Sequence, residues 1–257
     1  MGGMRLGAAQ LRRELTILGS PRVAVVLVHC SARAIGWVEH IELLRDVLLD
    51  VLGVNGTLVV PTQSASKSRT SAAFQEAVAG LSESEREGHL ESVPGFDRAT
   101  TPSERMGALA EAVRTSRMAF RSAHPTTSFA AIGRYAAKHP HDCLLGMRSP
   151  LGWMYRTDTA VLLLGVGYNR CTAFHLGEAS TFHAMRSYCF KIGGCWRQSH
   201  SEDSRDSDFA ELGARFEATH PDEIRPGFIG EAPCRLFPLR AAADFAARWL
   251  PTLRFSC

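Results

Sequence analysis

The 257-residue sequence lacks the features that would place it among nucleic-acid-binding or membrane proteins. Its net charge of +3 comes without a Lys/Arg cluster, which is too little for a nucleic-acid-binding surface. No apolar run is long enough to span a bilayer, and the first residues, MGGMRLGAAQ, have no apolar signal-peptide core. We therefore expect a cytoplasmic protein with neither nucleic acid nor a membrane as partner.

Cysteine motifs and nucleotide-binding motifs are also absent. The seven cysteines are scattered, odd in number and without a CxxC pair, which favours reduced thiols over disulfides or a zinc site. The sequence has no P-loop, and no GxGxxG follows a strand and opens a helix. We expect no metal cofactor.

The apolar pattern predicts one α/β domain over residues 1–257. A chain of this length with 45% apolar residues can bury a single large core. VAVVLVH and TLVVPT are continuous apolar runs of strand length, as expected for strands covered on both faces. HIELLRDVLLDVLG lies between them with helical spacing, so the three segments indicate a βαβ unit.

The later segments extend this pattern after a polar interruption. Residues 63–103 are polar and acidic, and we expect a long surface excursion with one helical patch. FAAIGRYAAKH has helical spacing, TAVLLLGVG is the most apolar strand and is predicted at the centre of the sheet, and SHSEDSRDSD is predicted as an acidic loop. Two further segments, FAELGARFEATH and AAADFAARWL, are predicted helices.

His175 and Glu178 form a candidate acid–base pair just beyond the TAVLLLGVG strand. Their spacing of three residues puts both side chains on one helix face. A carboxylate that accepts a hydrogen bond from one imidazole nitrogen fixes the tautomer and raises the basicity of the other nitrogen. The alternative is an ordinary surface hydrogen bond between residues one turn apart.

A second candidate site follows the strand that ends at His29. Ser31 and its small neighbour offer backbone N–H groups to an anion, and Arg33 adds a positive charge. The alternative is an ordinary strand-to-helix turn. Farther along, Ser128 stands where the N-cap of the predicted FAAIGRYAAKH helix would be.

Several segments in order resemble the signature blocks of the aminoglycoside 3-N-acetyltransferases. Together they cover nearly the whole chain except residues 65–94 and 188–221. The segments are VAVVLVHCSARAIGWVE, LGVNGTLVVPTQS, FDRATTPSERMGALAEAVR, RSAHPTTSFAAIGRYA, SPLGWMYRTDTAVLLLGVGYNRCTAFHLGEAS and, more weakly, GFIGEAPCRLFPLRAAADFAARWL. The resemblance implies one α/β domain with a central mixed sheet flanked by helices, and acetylation of an aminoglycoside by acetyl-CoA.

The resemblance also implies roles for individual residues. The family's His-x-x-Glu pair corresponds to His175 and Glu178, and its His-x-Ser turn to His29 and Ser31. The implied catalytic residues are His175, Glu178 and His29, and the implied acetyl-CoA contacts are Ser31, Arg33, Thr62 and Thr172. The sequence departs from the family pattern at Cys30, at Gln63 and at Gly177, where the family has alanine.

Binding of a cationic aminosugar requires local carboxylates, because the protein as a whole is slightly basic. The expected acceptor contacts are Glu202 and Asp203, in an acidic wall with Asp206 and Asp208, and Asp97. Three alternatives stay open: an N-acetyltransferase for another amine, a Cys/His hydrolase built on Cys171 and His175, and a non-catalytic protein that binds acetyl-CoA.

Overall fold

The computed structural model describes residues 6–19, 24–36, 40–137, 141, 143–181, 185–202 and 204–254. The helices are α1 (Ala8–Gly19), α2 (Ala32–Ile35), α3 (Ile41–Leu52), α4 (Ala72–Ala77), α5 (Glu83–Ser92), α6 (Ala108–Arg114), α7 (Pro150–Arg156), α8 (Ala173–Thr181), α9 (Phe209–Thr219) and α10 (Leu239–Arg254). The strands are β1 (Val25–Cys30), β2 (Thr57–Pro61), β3 (Phe120–Arg121), β4 (Phe129–Gly133), β5 (Thr159–Leu164), β6 (Met185–Ile192), β7 (Cys195–Glu202), β8 (Arg225–Ile229) and β9 (Ala232–Pro238). None of the helices within these ranges combines the length and apolarity needed to cross a bilayer.

A mixed seven-stranded sheet organises the fold, in the order β3-β4-β2-β1-β5-β9-β8. β1 pairs in parallel with β2 on one side and with β5 on the other, whereas the outer pairs are antiparallel. The predicted mixed α/β architecture is therefore confirmed, although β1 rather than β5 holds the central position. Because β1, β2 and β5 run in parallel, their carboxyl ends meet at one edge of the sheet.

Both faces of this sheet are buried, which explains the continuous apolar runs of its central strands. Val25 and Leu27 of β1 pack on the face covered by α8, α9 and α10, while Val26 and Val28 pack under α1, α3 and α6. The two side-chain layers follow from the alternation of successive residues along a strand.

The segment FAAIGRYAAKH, predicted as a helix, begins instead as strand β4, which pairs antiparallel with β2. Residues 129–132 are all buried, and such a run has no period-two alternation that would distinguish a strand from a buried helix. Ser128 consequently caps no helix: its hydroxyl donates to the Thr62 carbonyl oxygen at 2.8 Å and accepts from Arg121 Nε at 2.9 Å. Residues 138 and 139 of this segment lie outside the described residues.

The polar excursion at residues 63–103 has more regular structure than its composition predicts. The expected helical patch is α4, but the acidic stretch also forms a helix, α5, which begins with a capping box between Ser82 and Glu85. A small apolar cluster of Phe74, Val78 and Val93 packs against Trp196 of β7, so the excursion is docked on the β6–β7 hairpin. The predicted loop SHSEDSRDSD likewise begins as part of β7.

Candidate active site

An open cleft of about 520 Å³ lies at the carboxyl ends of the three parallel strands. His29 and Cys30 end β1, Pro61 ends β2, and Val166 follows β5; all four residues line the cleft. The carboxyl edge of parallel strands is where α/β proteins place their ligands. This cleft is the candidate active site.

The predicted pair of His175 and Glu178 lies in the wall of this cleft. Both residues belong to α8, and one helical turn brings His175 Nδ1 to 2.8 Å from Glu178 Oε2. The His175 side chain is 12% exposed and lines the cleft, whereas the Glu178 side chain is 1% exposed. The Phe209 ring of α9 packs against the imidazole with a centroid distance of 4.6 Å. The imidazole is therefore held by a buried carboxylate on one side and by an aromatic ring on the other.

Glu178 is held in turn by groups that the sequence analysis did not identify. Its Oε1 accepts a hydrogen bond from the Arg205 backbone N–H at 2.9 Å and also pairs with Arg254 Nη1. Arg254 lies 76 residues after Glu178, near the end of α10. No local spacing could have indicated this contact, because it depends on how α10 packs in the folded chain.

His29 is a neutral imidazole in the cleft wall. Burial lowers its pKa to about 3, with a further contribution from the charge of His175. Its Nε2 lies 3.2 Å from Thr172 Oγ1, so two residues predicted for the site are in hydrogen-bond contact. Thr172 also lines the cleft.

The residues expected to contact acetyl-CoA differ in their placement. Ser31, Arg33 and Thr172 line the cleft, but Thr62 is fully buried behind it, between the lining residues Pro61 and Gln63. Two further guanidinium groups of the lining were not predicted from the sequence, those of Arg105 and Arg170. Arg105 has a φ of 59°, in the left-handed region that is uncommon for residues other than glycine. Several guanidinium groups in the lining of one cleft suit the phosphate groups of a coenzyme A moiety.

The residues expected to contact the acceptor lie mostly outside the cleft lining. Asp97 is exposed, and its carboxylate accepts hydrogen bonds from Thr100 and Ala99, which lower its pKa. Glu202 ends strand β7, and Asp203 lies outside the described residues. Asp206 is the carboxylate that lines the cleft among the described residues.

Cys171 borders the cleft, but its thiol is not available as a nucleophile. The residue is 0% exposed, and burial raises the pKa of its thiol to about 12. A nucleophilic cysteine needs the opposite environment, with partial exposure and a lowered pKa.

Comparison with known proteins agrees with this architecture. The aminoglycoside 3-N-acetyltransferase family model matches residues 27–251. The SPbeta prophage-derived aminoglycoside N(3')-acetyltransferase-like protein YokD of Bacillus subtilis is 34% identical, over 93% of this chain and 90% of its own. Its crystal structure superposes with a TM-score of 0.88 at 32% identity, covering 97% of this chain and 94% of its own.

Two further relatives are named as acetyltransferases of this kind, one from its sequence and one from a structure with CoASH. Aminoglycoside N(3)-acetyltransferase VII of Streptomyces paromomycinus is 30% identical, over 94% of this chain and 90% of its own. The structure described as AAC-IIIb binary with CoASH has a TM-score of 0.82 at 25% identity, covering 97% of this chain and 98% of its own. Since the family model covers most of the chain and these relatives match it nearly end to end, the chain belongs to the aminoglycoside 3-N-acetyltransferase family.

Proposed function

We propose that this protein transfers the acetyl group of acetyl-CoA directly to the 3-amino group of an aminoglycoside, with His175 as the general base. The observation that carries the proposal is the 2.8 Å contact between His175 Nδ1 and Glu178 Oε2 in the wall of the cleft. The names of the family and of its relatives support the acceptor, and the CoASH complex of AAC-IIIb supports the acetyl donor.

The base acts on the acceptor amine. An aminosugar ammonium must lose a proton before its nitrogen can attack a carbonyl carbon. Because Glu178 occupies Nδ1 of His175, Nε2 is the nitrogen that takes this proton. The first proton passes from His175 to solvent. The new N–C bond then forms as the C–S bond of the thioester breaks, and His175 takes the second proton from the attacking nitrogen and gives it to the departing thiolate, which leaves a neutral amide. A thioester is already activated, so positioning the two substrates supplies much of the remaining rate enhancement.

The polar groups around the base have complementary roles in this proposal. Neutral His29 contacts the Thr172 hydroxyl at 3.2 Å, and we assign it the positioning of that hydroxyl as a donor to the developing oxyanion. Ser31 and Arg33, with Arg105 and Arg170, would hold the phosphates of acetyl-CoA.

Thr62 would act from behind the wall rather than by contact with acetyl-CoA. Its backbone carbonyl accepts hydrogen bonds from Ser128 Oγ at 2.8 Å and from Arg121 Nη2 at 2.6 Å. These bonds fix the end of β2, where Pro61 and Gln63 line the cleft.

The acidic contact to the acceptor is best assigned to Asp206. Its carboxylate lines the same cleft as His175, so it can pair with a second ammonium of the aminoglycoside while the first one reacts. Contacts from Glu202, Asp203 and Asp97 to the acceptor remain predictions. Glu202 and Asp97 are supported less well than Asp206, because neither of them lines the cleft.

A thiol-release assay tests the proposed activity. Acetyl-CoA is incubated with the protein alone, with gentamicin, kanamycin or apramycin, and with amines that are not aminoglycosides, and NMR of the product locates the acetyl group. We expect thiol release that depends on the aminoglycoside, with the acetyl group on the 3-amino nitrogen. Thiol release at the same rate without any amine would indicate a hydrolase, and release only with other amines would show that the acceptor is misassigned.

A further inference from the structure

We propose that Arg254 is a positioning residue for the proposed general base and that it acts on His175 through Glu178. The inference rests on the proposed function, since it concerns how the same base is held. The last turn of α10 would then contribute to the reaction by orienting the base.

The side chain of Arg254 gathers three groups around the base. It pairs with Glu178 Oε1 through Nη1 and binds Asp208 in a bidentate manner, with Nε 2.6 Å from Oδ2 and Nη2 2.9 Å from Oδ1. Nη2 also donates to the Arg205 carbonyl oxygen at 3.0 Å. Arg205 donates its own N–H to Glu178, so the segment before α9 and the base are tied to one guanidinium.

The charge of Arg254 balances that of a buried carboxylate. Glu178 is 1% exposed, and a buried anion is costly unless it is paired and hydrogen-bonded. Burial opposes the positive charge of Arg254, but its hydrogen bonds to Asp208 and Glu178 outweigh burial and raise its pKa. The same pairing lowers the pKa of Asp208. The guanidinium thus stays charged and stays in place.

The two oxygens of Glu178 are assigned to different partners. Oε2 contacts His175 Nδ1, whereas Oε1 accepts from Arg205 and Arg254. Fixing Oε1 fixes the plane of the carboxylate and therefore the direction in which Oε2 meets the imidazole. Outer partners of metal-bound histidines change activity by about 10- to 100-fold when removed, and we expect an effect at the lower end of that range here.

The packing of α10 on α8 brings Arg254 within reach. A Cβ on Gly177, the residue before Glu178, would lie 2.3 Å from the Ala243 carbonyl oxygen, so the helices touch backbone to backbone. Thr181 Oγ1 donates to the Ala247 carbonyl oxygen at 3.2 Å, which ties the helices together again. The close packing of α10 on α8 thus brings the end of α10, where Arg254 lies, to Glu178.

A double-mutant cycle tests the proposal. R254Q, E178Q and the double variant are compared with wild type by kcat in the thiol-release assay, by acetyl-CoA affinity from calorimetry and by melting temperature. R248Q is the control, because Arg248 is an exposed residue of the same helix. If R254Q does not fold, R254K takes its place in the cycle.

We expect R254Q to lower kcat about tenfold and R254K to lower it less. The acetyl-CoA affinity of both variants should stay near that of wild type, and so should the kcat of R248Q. In the E178Q background, R254Q should change kcat by less than about twofold, because its effect passes through Glu178. An equal loss of kcat in both backgrounds, or wild-type kcat in R254Q, would overturn the positioning role. Failure of the proposed function itself would be recognised separately, as full turnover in H175A.

Discussion

Gly177 is a position where the residue typical of the family should not fit this protein. In G177A the new Cβ would lie 2.3 Å from the Ala243 carbonyl oxygen and 2.6 Å from both the Ala246 Cβ and the Ala247 nitrogen. Ordinary contacts begin at 3.4 Å, so α8 and α10 must separate by about 1 Å. All three neighbours belong to the helix backbone or to a Cβ, so no flexible side chain can move aside.

The magnitude follows from two opposing terms. Overpacking costs about 1–3 kcal/mol, and alanine in place of glycine within a helix returns about 1 kcal/mol. The net effect is a destabilisation of up to about 2 kcal/mol, or a melting temperature lower by about 4–8 °C in a chain of this size. A shift of about 1 Å at Glu178 should also lower kcat by up to about a hundredfold.

Gly88 supplies a matched control, because it is also helical and a Cβ there would meet nothing within 4 Å. G88A should raise the free energy of unfolding by about 0.5–1 kcal/mol and leave kcat unchanged. Differential scanning fluorimetry and the thiol-release assay are run on both variants. If G177A melts at or above the temperature of G88A with normal kcat, the close packing of α8 and α10 is wrong.

Variants of Cys171, Asp206 and His29 test the roles assigned to the buried thiol, the acidic contact and the neutral imidazole. C171S should keep substantial activity, and mass spectrometry should find no acetylated Cys171, since direct transfer needs no second nucleophile; an acetyl-cysteine would refute direct transfer. D206N should raise the acceptor KM severalfold and flatten its dependence on salt, because exposed charge pairs are screened over roughly 8 Å at physiological ionic strength. E202Q should change acceptor kinetics less than D206N does, and the reverse pattern would move the acidic contact to β7. Burial lowers the pKa of His29 and His124 from 6.5 to about 3, so the unfolded chain binds protons that the folded chain does not, and stability falls as the pH drops below 6.5. Between pH 7 and pH 5, each of the two histidines should lower the free energy of unfolding, measured with urea, by about 2 kcal/mol. H29Q should remove the contribution of His29, which is about half of their combined loss. An unchanged pH slope in H29Q would contradict the neutral His29.

The sequence predicts those parts of the fold whose signal is local. β1, α3 and β2 were identified because strands covered on both faces are continuously apolar and an amphipathic helix has its own period. His175 and Glu178 were paired because a spacing of three residues fixes their relation on any helix. The same local criteria failed for β4, where four buried residues carry no alternation, and for α5, whose acidic composition concealed its capping box.

Contacts made across the chain could not be predicted in this way. Arg254 meets Glu178 only after α10 has packed on α8, and no spacing in the sequence records that distance. The acidic residues could be proposed from charge alone, but charge does not say which side chain reaches the cleft. Of the predicted acidic residues that the structure describes, Asp206 lines the cleft, and the contacts of Asp97 and Glu202 with the acceptor stay predictions.

Replacing His175 by alanine shows whether its imidazole accepts the proton of the acceptor amine. Turnover of acetyl-CoA with an aminoglycoside is measured for wild type and H175A, and acetyl-CoA binding to both is measured by calorimetry. We expect kcat to fall on the order of a hundredfold or more while the Kd for acetyl-CoA changes little, because only the proton acceptor is lost. Near-normal turnover in H175A would contradict the assignment of the base.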